Sequence, residues 1–357
     1  MTQTAAVQFP LSVEELSTQW LDRVFAMREG APRVIGSEVE RIIWGTATKV
    51  IMRVVCEDSS GKRFTRGVCV KGRFDERLKD YYDLGVLFVL EAAFYRDVAP
   101  TLPIPLPECY YADEDTENGV VILENLVERQ ATFGDPCASL TAAQVAQVLD
   151  ILAVLHATTW HWKPGNFPWL RIGSPSQRVG IKAMAAGGRF KDLSSRPEVA
   201  AFMSRPYADE ERILSALETL WLRDDASALY ALSHGDAHIG QLYFNPDGQA
   251  GLLDWQGIAL MPWAKDVAYF IGSALSVPDR RHHERDLLAS YLQALERSGG
   301  PRISPADAWQ EYRVQMLQGI VWAVVTEQMQ PIEAIRALNE RYLTAMSDLG
   351  TMAALGL

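Results

Sequence analysis

The sequence predicts an α+β protein of two lobes, with a mixed antiparallel sheet in its N-terminal part and a mainly helical C-terminal part. Three observations predict this. Runs rich in β-branched and aromatic residues follow one another at 37–44, 48–56 and 64–71, separated by Gly45-Thr46-Ala47 and Asp58-Ser59-Ser60-Gly61. Beyond Glu124 the apolar spacing shifts to the period of helices and keeps it nearly to the end. One β signal, at 240–254, interrupts that helical half.

Taken in order, a helix is expected at 14–27, then three antiparallel strands joined by the two turns above, then a helix at 84–98. A Pro-punctuated stretch at 101–107 leads to strands at 108–112 and 119–123 across an acidic turn. Thr141 with Gln144 makes a capping box, and Val145, Val148, Leu149, Leu152 and Leu155 recur behind it at helical spacing, so a core helix should run to about residue 160. Further helical patterns lie at 208–221, 264–275, 284–298, 305–329 and 332–348. The stretch 162–196, with Gly165, Pro168, Gly173, Pro175 and Gly187-Gly188, reads as a long loop or insert.

Charge and composition exclude several classes. Lys and Arg number 34 against 45 Asp and Glu, a net charge of −11, which argues against nucleic acid as a partner. The first twenty residues lack a basic region followed by an apolar one, and no run of about 18 uncharged apolar residues follows, so a cytoplasmic protein without a membrane partner is expected. Cys56, Cys69, Cys109 and Cys137 form no Cys-x-x-Cys pair and are expected to be inert small hydrophobes.

The chemistry is concentrated in Ser233-His234-Gly235-Asp236-Ala237-His238-Ile239-Gly240-Gln241-Leu242-Tyr243-Phe244, then Asn245-Pro246-Asp247-Gly248, then Gly251-Leu252-Leu253-Asp254-Trp255-Gln256. Asn-Pro-Asp-Gly is a turn sequence, and pairing across it sets residue 244 near 249 and 239 near 254. Asp254 thereby returns beside the loop carrying Asp236 and Gln241. Two acids and an amide at the mouth of one hairpin suit magnesium-dependent phosphoryl transfer, which needs an acceptor for a hydroxyl proton and oxygen ligands for a hard cation. In the N-terminal lobe, Lys71 shares a strand face with Gly67 and Cys69. Glu91 shares a helix face with Leu87, Phe88, Phe94 and Tyr95, where a carboxylate is costly unless paired.

His-x-Asp-x-x-x-x-Gln followed by Asp254 resembles the catalytic loop and metal-binding aspartate of the protein-kinase-like fold. The form His-Gly-Asp-x-His with Leu-Leu-Asp-Trp-Gln is similar to its aminoglycoside phosphotransferase and choline kinase-like branch, best to the ecdysteroid kinase-like proteins. The resemblance implies a bilobed α+β chain: a nucleotide-binding N-lobe at 1–124, a hinge at 125–130 and a helical C-lobe at 131–357 holding the catalytic loop and acceptor site. It implies Asp236 as catalytic base, Asp254 as the main Mg2+ ligand and position 241 as the second, where the family has Asn. Gln241 keeps the amide oxygen but displaces it by roughly 1.5 Å, so the longer arm must bend or a water must intervene. Lys71 and Glu91 take the roles of the pair that positions ATP phosphates. Gly45 and Thr46 would cover phosphates, and Glu124 and Leu126 would present backbone groups to adenine. Asp266 would support the catalytic loop, as would His234 and His238, whereas His156 and His161 read as packed or exposed. Trp160, Trp162 and Trp169 are candidates to line an acceptor pocket.

The function so implied is ATP- and Mg2+-dependent transfer of the γ-phosphoryl group to a hydroxyl of a small molecule. The alternative, motivated by Gln241, is a catalytically impaired nucleotide-binding pseudokinase. A metallophosphatase would need several more histidines and a second Asp-x-His upstream of Asp236-Ala237-His238, which none of His156, His161 and His234 makes. A protein-substrate kinase would need the Gly-rich loop and an Ala-Pro-Glu after Asp254, both absent from the sequence.

Overall fold

A computed structural model of the chain describes residues 9–44, 47–75, 85–186, 188–202 and 207–357. The chain divides into two compact units, Met1–Thr101 with Leu106–Ala131, and Leu102–Pro105 with Thr132–Leu357.

The first unit opens with helix α1 (Thr18–Phe25). The helix starts later than its apolar spacing predicts because Ser17 caps it, its side chain accepting the Trp20 N–H. There follow β1 (Arg33–Ile43), β2 (Thr48–Glu57), β3 (Arg63–Gly72), α2 (Gly85–Ala93), β4 (Cys109–Glu114) and β5 (Gly119–Glu124). The strands form one antiparallel sheet in the order β1-β2-β3-β5-β4. In β2, Thr48, Val50, Met52, Val54 and Cys56 are buried and alternate with less buried residues, the two-residue period of a sheet with one face on a core. Val50, Met52, Val54 and Cys56 join Val68, Val70 and Ile122 on that face, which α1 covers with Trp20, Leu21, Val24 and Phe25. By the same alternation Gly67, Cys69 and Lys71 belong to the opposite face of β3. Helix α2 does not continue as α-helix to residue 98. It closes with one π-helical turn, Phe94–Val98, ahead of Pro100, which has no N–H to donate and crowds the carbonyl four residues back.

The second unit contains, in chain order, β6 (Thr132–Phe133), α3 (Ala142–Thr159), α4 (Pro175–Ala186), α5 (Arg189–Ser194), α6 (Pro197–Ala200), α7 (Glu210–Asp225), β7 (Tyr230–Ser233), β8 (Leu242–Phe244), β9 (Ala250–Leu252) and β10 (Ala259–Pro262). It ends with α8 (Trp263–Ala274), α9 (Val277–Arg297), α10 (Pro305–Gln315), α11 (Ile332–Leu349) and α12 (Thr351–Leu355). The capping box of α3 is closed in both directions, Gln144 N to Thr141 Oγ1 at 3.3 Å and Thr141 N to Gln144 Oε1 at 3.0 Å. Length and composition would allow α3 to cross a membrane, but 56% of it is buried inside the protein, and it packs on α9 as a core helix.

Three expectations for this unit are corrected. The stretch 162–196 is not one long loop, for it contains α4 and α5; Pro175 stands at the first position of α4, where its missing N–H costs nothing. Strands β6, β7 and β10 add to the hairpin, each too short to show a period and each paired with a partner distant in sequence. The hairpin register is one residue from that expected, Phe244 opposite Ala250 and Leu242 opposite Leu252. Five residues, 245–249, separate the strands where four were expected: Asn245 N donates to Gln249 O at 2.9 Å, and Gly248 takes the left-handed conformation, φ +84°.

Candidate active site

In the second unit, β7 ends at Ser233 and releases residues 234–241, while its antiparallel partner β10 runs directly into α8. That topology brings Asp266, in the first turn of α8, onto the loop. Its Oδ2 accepts the His234 N–H at 2.7 Å and its Oδ1 the Gly235 N–H at 2.9 Å. His156, near the end of α3, lies with Nε2 3.3 Å from Asp266 Oδ2, and its Nδ1 meets the Tyr291 hydroxyl at 2.7 Å. Burial alone would raise the Asp266 pKa, but the bond from His156 and the Gly235 N–H outweigh it and hold the carboxyl below the usual range. Gly235 is required where it stands, because φ is +81° and a Cβ would lie 2.0 Å from the Gly257 carbonyl oxygen.

His234 ties this loop to the end of β9. The Asp236 N–H reaches its Nδ1 at 3.3 Å, and its Nε2 donates to the Leu253 carbonyl at 2.8 Å, one residue before Asp254. Leu253 N in turn donates to Gln241 O at 2.9 Å, which sets Asp254 beside the loop. Asp254 has φ +64°, a left-handed conformation that a non-glycine residue holds only where its surroundings enforce it. His238 Nδ1 accepts the Gly240 N–H at 3.0 Å, so its remaining proton is on Nε2, 3.8 Å from Asp236 Oδ2. Burial pushes the His238 pKa down. Gln241 Nε2 lies 3.2 Å from Asp236 Oδ2, and since a carboxylate only accepts, the amide NH2 is the group turned to Asp236. Against this tied backbone the Asp236 side chain keeps 40% exposure.

Asp266→Asn would put an NH2 group where one of two backbone N–H groups now finds an oxygen. The expected loss is about 1–3 kcal/mol of stability in urea unfolding, and an unchanged midpoint would remove Asp266 from this role. Because the folded pKa is depressed, the ionised carboxylate's contribution is complete above about pH 4 and is lost as pH falls through the folded value.

In the first unit, Lys71 Nζ and Glu91 Oε1 are 2.7 Å apart, with side chains 4% and 2% exposed. Gly45 and Thr46 lie outside the described residues; Ala47 and Thr48 beside them are buried. The Glu124 N–H donates to Glu108 O, and its Oε1 accepts the Glu108 N–H, both at 2.9 Å. Leu126 is buried, and its carbonyl accepts the Ala131 N–H at 3.1 Å. Glu128, which no motif marks, places Oε2 2.9 Å from Gly67 N, its carboxylate standing where a Cβ on Gly67 would lie.

Sequence reasoning missed His156 as the support of Asp266. It lies on the apolar stripe of α3, and the one available signal was a polar residue that recurs with that stripe. Trp162 and Trp169 make ring contacts to Phe167 at 5.3 and 5.5 Å. Among the described residues no group of three or more His, Cys, Asp or Glu forms a metal cluster. Magnesium is nonetheless compatible with the donors present, since it keeps several waters and takes only one or two carboxylates, and Asp254 and the Gln241 amide oxygen are hard donors carried on backbones joined at 2.9 Å.

A family model described as ecdysteroid kinase-like matches residues 46–166 and 200–299. No curated protein sequence matches the chain. Among solved structures, a spectinomycin phosphotransferase in complex with ADP and spectinomycin is similar at 13% identity and a TM-score of 0.52, over 93% of this chain and 98% of that one. A choline kinase from Streptococcus pneumoniae is similar at 15% identity and a TM-score of 0.46, over 92% and 96%. The fold is the protein-kinase-like one, an antiparallel-sheet unit followed by a helical unit.

Proposed function

This chain belongs to the ecdysteroid kinase-like family, and we propose from that premise that it transfers the γ-phosphoryl group of ATP to a hydroxyl of a small molecule. The observation that carries the reading is Asp236, a carboxylate left 40% exposed on a loop whose backbone is otherwise tied down by buried groups. A base so held meets the requirement of phosphoryl transfer, which is mostly positioning. Asp236 accepts the proton of the attacking hydroxyl, and the NH2 of Gln241 fixes the carboxylate's orientation. In the first unit Lys71, held by Glu91, binds phosphate oxygens. Asp254 and the Gln241 amide oxygen would hold Mg2+, which supplies neutralisation of phosphate charge when bound.

The test is ADP release measured with Mg2+-ATP across aminoglycosides, amino alcohols, sugars, hydroxy acids and apolar alcohols. If no acceptor raises it above the acceptor-free rate, the phosphotransferase reading fails and the impaired pseudokinase is left.

Gln241→Asn separates those two readings by another route. The shorter arm releases Asp236, so kcat should fall about fivefold, the value of one hydrogen bond near 1 kcal/mol, while Mn2+ affinity followed by electron paramagnetic resonance stays within about threefold. Tightening of Mn2+ by about tenfold or more would instead mean that Gln241 had impaired the metal site.

A further inference from the structure

The second unit buries another ionisable group that the reaction above leaves unused. Lys265, in the first turn of α8, is 8% exposed, and its one hydrogen bond among the described residues runs from Nζ to the Met261 thioether at 3.1 Å. Sulfur is a weak acceptor, and an ammonium taken out of water without an oxygen partner is destabilising. Desolvation accordingly pushes the Lys265 pKa down, against the attraction of Asp224, Asp266 and Asp236.

The ammonium lines a narrow cavity with Ser174, Gln177 and Arg178 of α4, Asp224 of α7 and Gln318. Asp224 accepts from Gln315 Nε2 at 2.6 Å, and no ion pair joins it to Lys265 among the described residues. The open space is about 10 Å³, room for a single water-sized atom. The space beside the ammonium is thus the size of one oxygen atom. The cavity also adjoins the loop of Asp236 on two sides. Gln177 Nε2 lies 2.7 Å from where a Gly257 Cβ would stand, with His234 O 3.0 Å from the same point. The Met261 methyl lies 2.9 Å from the corresponding position on Gly235.

We propose that this cavity is an acceptor subsite, in which Lys265 takes a carboxylate or carbonyl oxygen of the molecule whose hydroxyl lies at Asp236. It rests on the phosphotransferase reading and narrows it to hydroxy acids and their amides. An amino alcohol would bring a second cation to the Lys265 ammonium, whereas a carboxylate or carbonyl supplies the missing acceptor. The cavity admits one atom, so the oxygen enters end-on.

The test compares 4-hydroxybutyrate and 4-hydroxybutyramide with 4-amino-1-butanol, which share a chain length and differ at the far end. The first two should exceed the third in kcat/KM by at least about tenfold, and Lys265→Met should abolish that preference without loosening ATP. The variant should also unfold at a higher temperature, because it removes a buried charge that lacks an oxygen partner. A preference that survives Lys265→Met overturns the subsite, and so does a lower unfolding temperature, which would mark Lys265 as structural. Should wild type turn over none of the three, saturation-transfer NMR of 4-hydroxybutyrate decides: binding that Lys265→Met abolishes supports the subsite, and no binding overturns it. A protein that binds 4-hydroxybutyrate through Lys265 yet releases no ADP with any acceptor sinks the phosphotransferase reading alone. One that phosphorylates acceptors with Lys265 irrelevant sinks the subsite alone.

Discussion

Asp236→Asn is expected to lower kcat by about 10²- to 10⁴-fold, the usual contribution of a positioned general base, while ATP affinity and the unfolding midpoint change little. The fold is indifferent because Asn keeps an oxygen that accepts from Gln241 Nε2, now at 3.2 Å, and because the loop is held by Asp266 and His234 through bonds that do not involve the Asp236 carboxylate. The chemistry is not indifferent, since an amide oxygen cannot take the hydroxyl proton. No neighbour substitutes. The Tyr269 hydroxyl, which also bonds Asp236, is held protonated by burial, and His238 cannot serve because its Nδ1 already accepts the Gly240 N–H and its Nε2 carries the remaining proton. Burial disfavours adding a further proton to that ring. Single-turnover measurement of ADP in the best acceptor is the check; a variant within about threefold of the parent would take the base assignment away from Asp236.

The parts of this site that sequence alone makes legible are the local ones. The β-branched run at 48–56, which forms β2, and the Thr141–Gln144 capping box each involve residues a few positions apart, and both appear in the structure. Asp236, Gln241 and Asp254 are legible as a group because one hairpin carries them, although its register required knowing that Gly248 takes a left-handed turn. His156 and Lys265 are a different case. His156 supports Asp266 across 110 residues, and Lys265 faces Asp224 and Gln318 from other helices. Nothing in a helix's own spacing says which distant polar group it will meet, so His156 reads as packed or exposed and Lys265 carries no signal. Glu128 is illegible for a related reason: its partner is a backbone N–H at Gly67, and any residue but proline offers one.

Lys71 and Glu91 allow structure and function to be separated in one cycle. Their charged atoms are 2.7 Å apart with side chains 4% and 2% exposed, so removing either partner takes a directly bonded opposite charge from a buried one. Lys71→Met should therefore cost about 3–5 kcal/mol in urea unfolding, and Glu91→Leu a similar amount. The double variant should recover most of that loss, because replacing a buried pair by apolar residues of similar size is often neutral or stabilising. ATP affinity should follow a different pattern. If Lys71 binds phosphate oxygens, the double variant regains stability and remains as weak for ATP as Lys71→Met alone. If the pair only holds α2 against the sheet, ATP affinity returns together with stability, and Lys71 loses its assigned role. The cycle needs no knowledge of the acceptor, so it tests nucleotide binding in the first unit independently of the chemistry assigned to Asp236 in the second.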